Sequence, residues 1–491
     1  MNIAFRTDSS YKIGTGHVHR CLNLARKFKK KKIKCYFFSN NYPGNINDLI
    51  KDEFELLTIT NKNSKKLYLE EENKKDAKNT IKFIKKLKID LIFLDSYLIK
   101  EDWELKIAKF CKIVLISDFL DRKSFCDYYL NYNLFYENKN INKNLKKNCI
   151  KLIGPDYSIS KDFPNLKIKK KNIKKITVFM GGVDAKDYTS KIISILKHKF
   201  FLKYKKIIVI GQRNKKINIL IKQIKNFKNF EIIFGNKKNL YTLFFNSNLV
   251  ITNLGTAMYE HLMLGLKSVV IAQNSNQRKV MKNMSSYNLI NFIKNRKEIN
   301  SNYINKILNQ KIFFKKKHIL IDLFKTKGTD RIIDFFINKN IIKKAKLVKA
   351  SLKDTFFLYK LVNDPLVIKN SLGNKFISFN KHKKWFQKTM QKKNSKIFIF
   401  KSIRHKLGQI RFDNISKNKT FITYSVSNEF RGKNVGYKML YMALKKNFYK
   451  TPIYAIVKKN NEASNKIFKK LGFVLLKNYM KNNLIYYLKN N

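Results

Sequence analysis

Arg6-Thr-Asp-Ser-Ser-Tyr-Lys-Ile-Gly-Thr-Gly-His-Val-His-Arg20 joins an apolar run at 3–6 to an amphipathic run at 18–31. An apolar run of strand length followed by helical periodicity reads as a first strand turning into a first helix. Gly14 and Gly16 let the backbone turn tightly and approach a ligand closely. His17 then lands at the helix start, at the carboxyl edge of a sheet, where α/β proteins place ligands and helix N–H groups hold anions.

Outward from this turn the alternation continues. Strands are expected at 3–6, 35–39, 91–94 and 113–117, then at 176–180, 206–210, 231–234, 249–252 and 268–272. Helical stretches lie between many of them, for example 18–31, 79–87 and 257–264. Strands alternating with helices predict βαβ units and parallel sheets. The pattern restarts near Lys174, after a loop holding Gly154-Pro155-Asp156 and Pro164, which predicts two doubly wound domains with a cleft between them. After a basic stretch at 338–346 the order changes to strands near 396–401, 406–412 and 421–426, a turn, a helix, a strand at 453–457 and another helix. The expected organisation is therefore an α/β chain with Rossmann-like domains at 1–165 and 166–335 and an α+β domain at 343–491.

Composition bounds the function. Hydrophobic residues make up 44%, with 39 Phe and 25 Tyr, so the chain has the apolar supply of a globular protein. A formal charge of +72 ordinarily points to nucleic acid. Here Lys, Asn, Ile, Phe and Tyr, all encoded by A/T-rich codons, are over-used together, and the lysines run from Lys29–Lys32 through Lys169–Lys171 to Lys315–Lys317. No aromatic-basic binding pattern accompanies them, so we read a solvated, compositionally biased surface that helps attract anionic nucleotides. The five cysteines show no CxxC pairing, which fits reduced thiols in a cytoplasm and argues against a zinc site. No signal peptide, transmembrane helix or membrane partner is expected.

The Arg6–Arg20 string resembles the N-terminus of the UDP-2,4-diacetamido-2,4,6-trideoxy-β-L-altropyranose hydrolases of pseudaminic acid biosynthesis. Further segments continue the likeness in order: Leu91-Ile-Phe-Leu-Asp-Ser-Tyr97, Cys126-Asp-Tyr-Tyr-Leu-Asn-Tyr-Asn133, Leu152-Ile-Gly-Pro-Asp-Tyr157, Met180-Gly-Gly-Val-Asp184, and Asn253-Leu-Gly-Thr-Ala-Met-Tyr-Glu260 with Asn276-Gln277. Two places depart from the family pattern: Asp118 is followed by Phe119 instead of an acid, and Ser160-Lys-Asp-Phe163 replaces a Leu-Arg before Glu-Phe. The resemblance covers roughly residues 1–285 and implies a GT-B-like arrangement of the two Rossmann-like domains. It implies His17 as general base for water, a role that an imidazole side chain suits. It further implies that Gly181, Gly182 and the Gly255–Thr256 turn offer N–H groups to the phosphates without a metal. Glu260 would accept ribose hydroxyls, Asn276 and Gln277 would approach sugar or phosphates, and Asp95 and Tyr97 would contact substrate. Arg20 belongs to the same set, Asp8 either caps the loop or steadies His17, and His19 is expected to be structural.

Val426-Ser-Asn-Glu-Phe-Arg-Gly-Lys-Asn-Val-Gly436, ahead of a helix, resembles the acetyl-CoA loop of the GNAT acetyltransferases. A pyrophosphate seated on consecutive backbone N–H groups at a helix N-terminus demands small or outward-turned side chains. The implied acetyl-CoA contacts are Val426, Arg431, Gly432, Lys433, Asn434, Val435 and Gly436. Asn434 replaces the pattern's middle glycine, a mild change because Asn tolerates positive φ. Val457-Lys-Lys-Asn-Asn-Glu-Ala-Ser-Asn-Lys-Ile-Phe-Lys-Lys-Leu-Gly-Phe473 resembles the same family's second segment and adds Asn461 and Ser464. Phe468 stands where many members carry a proton-donating tyrosine; Tyr479, Tyr486 and Tyr487 are the alternatives. Asn363-Asp-Pro365, Ser371 and His382-Lys-Lys-Trp-Phe386 resemble the subgroup that acetylates amino groups of nucleotide-linked sugars, although Leu361-Val362 replaces its Trp-Arg.

Together the resemblances imply acetylation of UDP-4-amino-4,6-dideoxy-N-acetyl-β-L-altrosamine followed by hydrolysis of its UDP linkage, with a UDP-linked amino sugar as partner and no specific nucleic acid. Two other readings stay open: a GT-B glycosyltransferase with an accessory GNAT domain, and a basic nucleic-acid-associated acetyltransferase. The oligomeric state is not legible.

Overall fold

The computed structural model describes residues 1–60, 70–133, 141–159, 174–211, 213–235, 240–245, 247–264, 266–285, 290–310, 328–373, 375–402, 405–416, 419–446, 452–476 and 484–489. Contacts divide the chain into two units, Met1–Asp334 and Phe335–Asn491.

The first unit holds two parallel sheets. One contains β1 (Asn2–Thr7), β2 (Lys34–Ser39), β3 (Glu55–Thr58), β4 (Leu91–Asp95), β5 (Lys112–Ile116), β6 (Tyr128–Asn131) and β7 (Ile150–Ile153), in the order β3-β2-β1-β4-β5-β6-β7. The other contains β8 (Lys175–Phe179), β9 (Lys205–Gly211), β10 (Phe230–Gly235), β11 (Leu249–Asn253), β12 (Ser268–Ile271) and β13 (Asn291–Ile293), in the order β10-β9-β8-β11-β12-β13. Each order reverses direction beside its first strand, at β1/β4 and β8/β11, as in a doubly wound Rossmann fold. These strands read as continuous apolar runs because helices cover both faces of such sheets. Leu91–Asp95, for instance, is buried throughout. The unit is thus an α/β pair of Rossmann-like domains in a GT-B-like arrangement.

Each half has its own core. Trp103, Tyr129, Ile92, Leu94 and Ile113 anchor the first, and Ile192, Ile193, Phe201, Ile208 and Ile251 the second. Buried ion pairs reinforce the first half: Arg6 joins Asp8 at 2.7 Å and Asp76 at 2.6 Å, and Trp103 Nε1 donates to Asp76 at 2.8 Å. The short strands β3, β6, β7 and β13 are absent from the sequence expectation. At three or four residues each they carry too little periodicity to stand out. The helix expected at 79–87 runs over Glu70–Leu87.

The second unit has one mixed sheet: β14 (Lys346–Lys349), β15 (Ser395–Lys401), β16 (Lys406–Ser416), β17 (Lys419–Val426), β18 (Ile453–Lys458), β19 (Val474–Leu475) and β20 (Leu484–Lys489). The order is β14-β15-β16-β17-β18-β20-β19, antiparallel except between β17 and β18. Those two parallel strands pair only at Thr420–Ile453 and Phe421–Tyr454, so the remainder of β17 and β18 forms a fork. Helix Val435–Lys445 packs Met439, Leu440 and Ala443 onto the sheet. No helix among the described residues is long and apolar enough to cross a membrane.

Candidate functional site

Both switch points of the first unit open on one cavity of about 580 Å³. The β1 loop brings Asp8, Gly14, Gly16 and His17, the β4 end brings Asp95 and Tyr97, the β8 turn brings Gly181 and Gly182, and the β11 turn brings Gly255. The centre of charge is Asp95, wholly buried at the last position of β4. His17, in the first turn of helix Gly16–Lys30, places Nδ1 2.6 Å from Asp95 Oδ1. Arg20, one turn on, grips the same carboxylate through Nε and through Nη2 at 2.5 Å. The helical three-residue spacing puts His17 and Arg20 on one face, over the strand end that carries Asp95.

Burial alone would raise the Asp95 carboxyl, but Arg20 first and then His17 hold it down at about 2. An ionised Asp95 selects the His17 tautomer with hydrogen on Nδ1, leaving Nε2 as the basic nitrogen. The Arg20 guanidinium stays cationic: burial opposes its charge, but Asp95, Tyr132 and Asp118 outweigh it. Its Nη1 lies 3.3 Å from Asp118 and 3.2 Å from the Tyr132 hydroxyl. Tyr97 donates its hydroxyl to Asp118, meets the His17 ring edge-on at 4.9 Å and stacks on Phe119 at 5.3 Å.

Asp118 and Tyr132 were not among the expected site residues, although both stand in or beside quoted segments. Asp118 was read only as a departure from an acidic pair. Tyr132 belongs to the 126–133 stretch, and its polar residues at a strand end were the available signal. Asp8 contacts neither His17 nor Arg20 in the described bonds. It pairs with Arg6 and accepts the Asn40 N–H at 2.7 Å, tying the loop to β2.

In the second half the Met180-Gly-Gly turn comes within contact of the first half. Gly181 takes φ +91°, and a Cβ on Gly182 would fall 2.3 Å from Thr15 Oγ1. Gly211 is as constrained, its Cβ position lying 2.4 Å from the Gly182 backbone. The turn therefore requires glycine for close approach. Asp184 is turned inward, accepting Tyr188 and Thr189 N–H at 3.0 and 2.8 Å. The Gly255 N–H bonds the Asn253 carbonyl at 2.9 Å, so the helix Thr256–Met263 presents its later N–H groups instead. Gln277 spends Oε1 on the Gln273 N–H at 2.7 Å. Thr256, Glu260 and Asn276 lie on helices at this end of the sheet, and their side chains lie outside the described residues.

In the second unit, Val426 ends β17 beside the fork and helix Val435–Lys445 begins nine residues on. Gly432 has φ +69° with open space at its Cβ position, and Asn434 sits in the left-handed region at φ 60°. Gly436 packs tightly under Tyr424 and Ile467, with Cβ positions 3.1 and 3.2 Å from them. This cradle of turned backbone and a helix start fits a pyrophosphate, and the open fork edges of β17 and β18 fit an extended amide-bearing arm. Arg431 is committed to the loop, pairing with Asp364 at 2.7 Å and donating Nε to the Val426 carbonyl at 3.0 Å. Lys433 donates to the Glu429 carbonyl at 2.5 Å. Asn461 caps helix Glu462–Lys470, accepting the Ser464 N–H at 3.3 Å.

Ser464 Oγ lies 2.9 Å from the hydroxyl of Tyr424, a residue absent from the sequence expectation. Phe468 is core, packed on Tyr424, Phe473 and Tyr487. Tyr487 is buried and donates to Asn465 at 3.0 Å, Tyr486 pairs across to Ile456, and Tyr479 lies outside the described residues. His382 and Phe386 are buried, with His382 held neutral by burial, whereas Trp385 is 40% exposed under Arg411. Among the described residues no cluster of His, Cys, Asp or Glu is arranged to hold a metal.

The first unit is accordingly a GT-B-like pair of Rossmann-like domains with a histidine–aspartate–arginine centre in its cleft, and the second unit has an acetyltransferase architecture. Comparison with known proteins refines this. Residues 346–474 match the acetyltransferase (GNAT) domain family. Over 281 residues, 56% of this chain and 93% of the relative, the sequence is 26% identical to the UDP-2,4-diacetamido-2,4,6-trideoxy-β-L-altropyranose hydrolase of Campylobacter jejuni. An uncharacterized protein of Methanocaldococcus jannaschii is 26% identical across 99% of both chains. The chain thus joins a relative of that hydrolase to a GNAT acetyltransferase domain. Similar solved structures include MurG of Acinetobacter baumannii (14% identity, 69% of this chain, all of that one, TM-score 0.48). Another is the spermidine N-acetyltransferase of Vibrio cholerae with CoA and spermine (16% identity, 30% of this chain, 94% of that one, TM-score 0.27).

Proposed function

We propose that the chain catalyses two consecutive reactions of pseudaminic acid biosynthesis: N4-acetylation of UDP-4-amino-4,6-dideoxy-N-acetyl-β-L-altrosamine, then hydrolytic release of UDP from the UDP-2,4-diacetamido-2,4,6-trideoxy-β-L-altropyranose formed. Residues 1–165 and 166–335 are taken as the halves of the hydrolase and 343–491 as the acetyltransferase. The observation that carries the reading is His17 held through Nδ1 by Asp95 in the cleft of a chain related to such a hydrolase.

In the hydrolytic step His17 Nε2 takes a proton from water as the water oxygen bonds to the anomeric carbon. The bond from that carbon to the diphosphate breaks, and its electron pair leaves on UDP. Asp95 fixes the tautomer and offsets the imidazolium charge as it forms. Arg20 keeps Asp95 ionised, and Tyr97 walls the histidine edge-on. The Gly181–Gly182 turn and helix Thr256–Met263 offer backbone N–H groups to the phosphates, with Glu260, Asn276 and Gln277 around the nucleotide and sugar.

For the acetyltransferase, acetyl-CoA supplies an activated acetyl group as a thioester. The backbone of 432–436 is assigned to its pyrophosphate and the β17/β18 fork to its arm. Tyr424, hydrogen-bonded to Ser464 and raised in pKa by burial, holds a proton where Phe468 has none. Incubation of His17→Ala with UDP-4-amino-4,6-dideoxy-N-acetyl-β-L-altrosamine and acetyl-CoA tests the first assignment: UDP release should stop while acetylation continues. UDP release at the wild-type rate would dismiss His17 as the base.

A further inference from the structure

Arg213 follows β9, and its N–H donates to the Gly182 carbonyl at 3.2 Å, so the glycine turn fixes where its side chain begins. Arg213 lines both the main cavity and a second one of about 360 Å³, lined chiefly by polar residues such as Asn41, Asn45, Asn47 and Lys51. Its Nη2 reaches Asp48 at only 3.3 Å, and that carboxylate is 78% exposed. Its Nε is buried with no hydrogen-bond partner.

A buried N–H without an acceptor is costly unless something outside the chain completes it. Nε and Nη2 form one edge of a planar fork that matches two oxygens of a phosphate. The Asp48 pair does not compete strongly, because so exposed an ion pair contributes little. The other cations of the cavity are placed differently. Arg20 is committed to Asp95 and Asp118, and Lys12 and Lys186 are exposed.

We infer that Arg213 is the diphosphate-binding residue of the cleft, clasping the leaving group's oxygens with Nε and Nη2 beside the Gly181–Gly182 turn. The inference rests on the hydrolase reading. As the anomeric carbon–oxygen bond breaks, charge gathers on those oxygens, so the contact strengthens toward the transition state.

Calorimetric titration of the full chain with UDP, UMP and uridine tests this. Arg213→Gln should weaken UDP about 10–100-fold while moving uridine by less than about threefold. Arg213→Lys, with charge but no fork, should recover part of the loss. Asp48→Ala, which frees Nη2, should bind UDP at least as tightly as the wild type. If wild type binds UDP and Arg213→Gln binds it equally well, or loses uridine to the same degree, the inference fails and the hydrolase reading stands. If the wild type binds no UDP, the hydrolase reading itself fails.

Discussion

Replacing Asp95 by Asn perturbs the hydrolase centre with almost no change in volume. Buried Asp95 accepts from half-buried His17 Nδ1 and from two nitrogens of buried Arg20, and no other carboxylate reaches the histidine in the described bonds. An Asn side chain has one oxygen, and the Arg20 donors claim it. Its NH₂ then faces His17 Nδ1, which must become an acceptor, so the hydrogen moves to Nε2. A base protonated on its working nitrogen cannot accept a proton from water. Loss of general-base action costs about 10²–10⁴ in kcat, or roughly 3–5 kcal/mol in the barrier. The same change strips Arg20 of its main partner. Asp118 at 3.3 Å compensates in part, so a stability loss of about 3 kcal/mol is expected. The assay is UDP release from the acetylated UDP-sugar at a temperature where circular dichroism shows the variant folded, with UDP affinity measured alongside. We expect kcat to collapse, UDP affinity to hold within about threefold, and Asp95→Asn/His17→Ala to be no slower than His17→Ala alone. A kcat within about threefold of wild type, or additive losses in the double variant, would refute the orienting role of Asp95.

Three further outcomes follow. Tyr424→Phe should slow acetyl transfer about 10–100-fold with CoA affinity unchanged, read by thiol release and calorimetry; an unaffected rate removes Tyr424 as acid. Gly211→Ala drives a Cβ into the Gly182 backbone, which cannot rotate away, and should cost about 2–3 kcal/mol in urea unfolding and weaken UDP binding. His261 is wholly buried without a hydrogen-bond partner, and burial lowers its pKa to about 3. A folded value depressed below the unfolded value of about 6.5 means that stability is intact above that pH and drains as pH falls toward 3. By pH 4 this amounts to roughly 3 kcal/mol, so His261→Leu should flatten acid unfolding between pH 6 and 4; an unchanged profile would show that His261 does not titrate in that window.

Much of this was legible because parallel strands leave unbroken apolar runs and their glycine turns stay local in sequence. His17, Arg20 and Asp95 were all singled out, since a strand-end acid and a helix-start histidine each carry a positional signal. Their mutual contacts were not legible, because residues 78 and 75 positions apart meet only through the register of β1 with β4. Tyr424 stayed hidden for a related reason. An aromatic residue inside a strand reads as core until the fork and Ser464 give its hydroxyl a role. Gly211 and Arg213 went unread because their significance is close approach to Gly182 from another strand.

The central claim is tested most directly by mass spectrometry of the full chain given UDP-4-amino-4,6-dideoxy-N-acetyl-β-L-altrosamine, with and without acetyl-CoA, beside His17→Ala. The account predicts UDP and free diacetamido sugar only when acetyl-CoA is present, with His17→Ala stalling at the acetylated UDP-sugar. Acetylation without any release of UDP would contradict it.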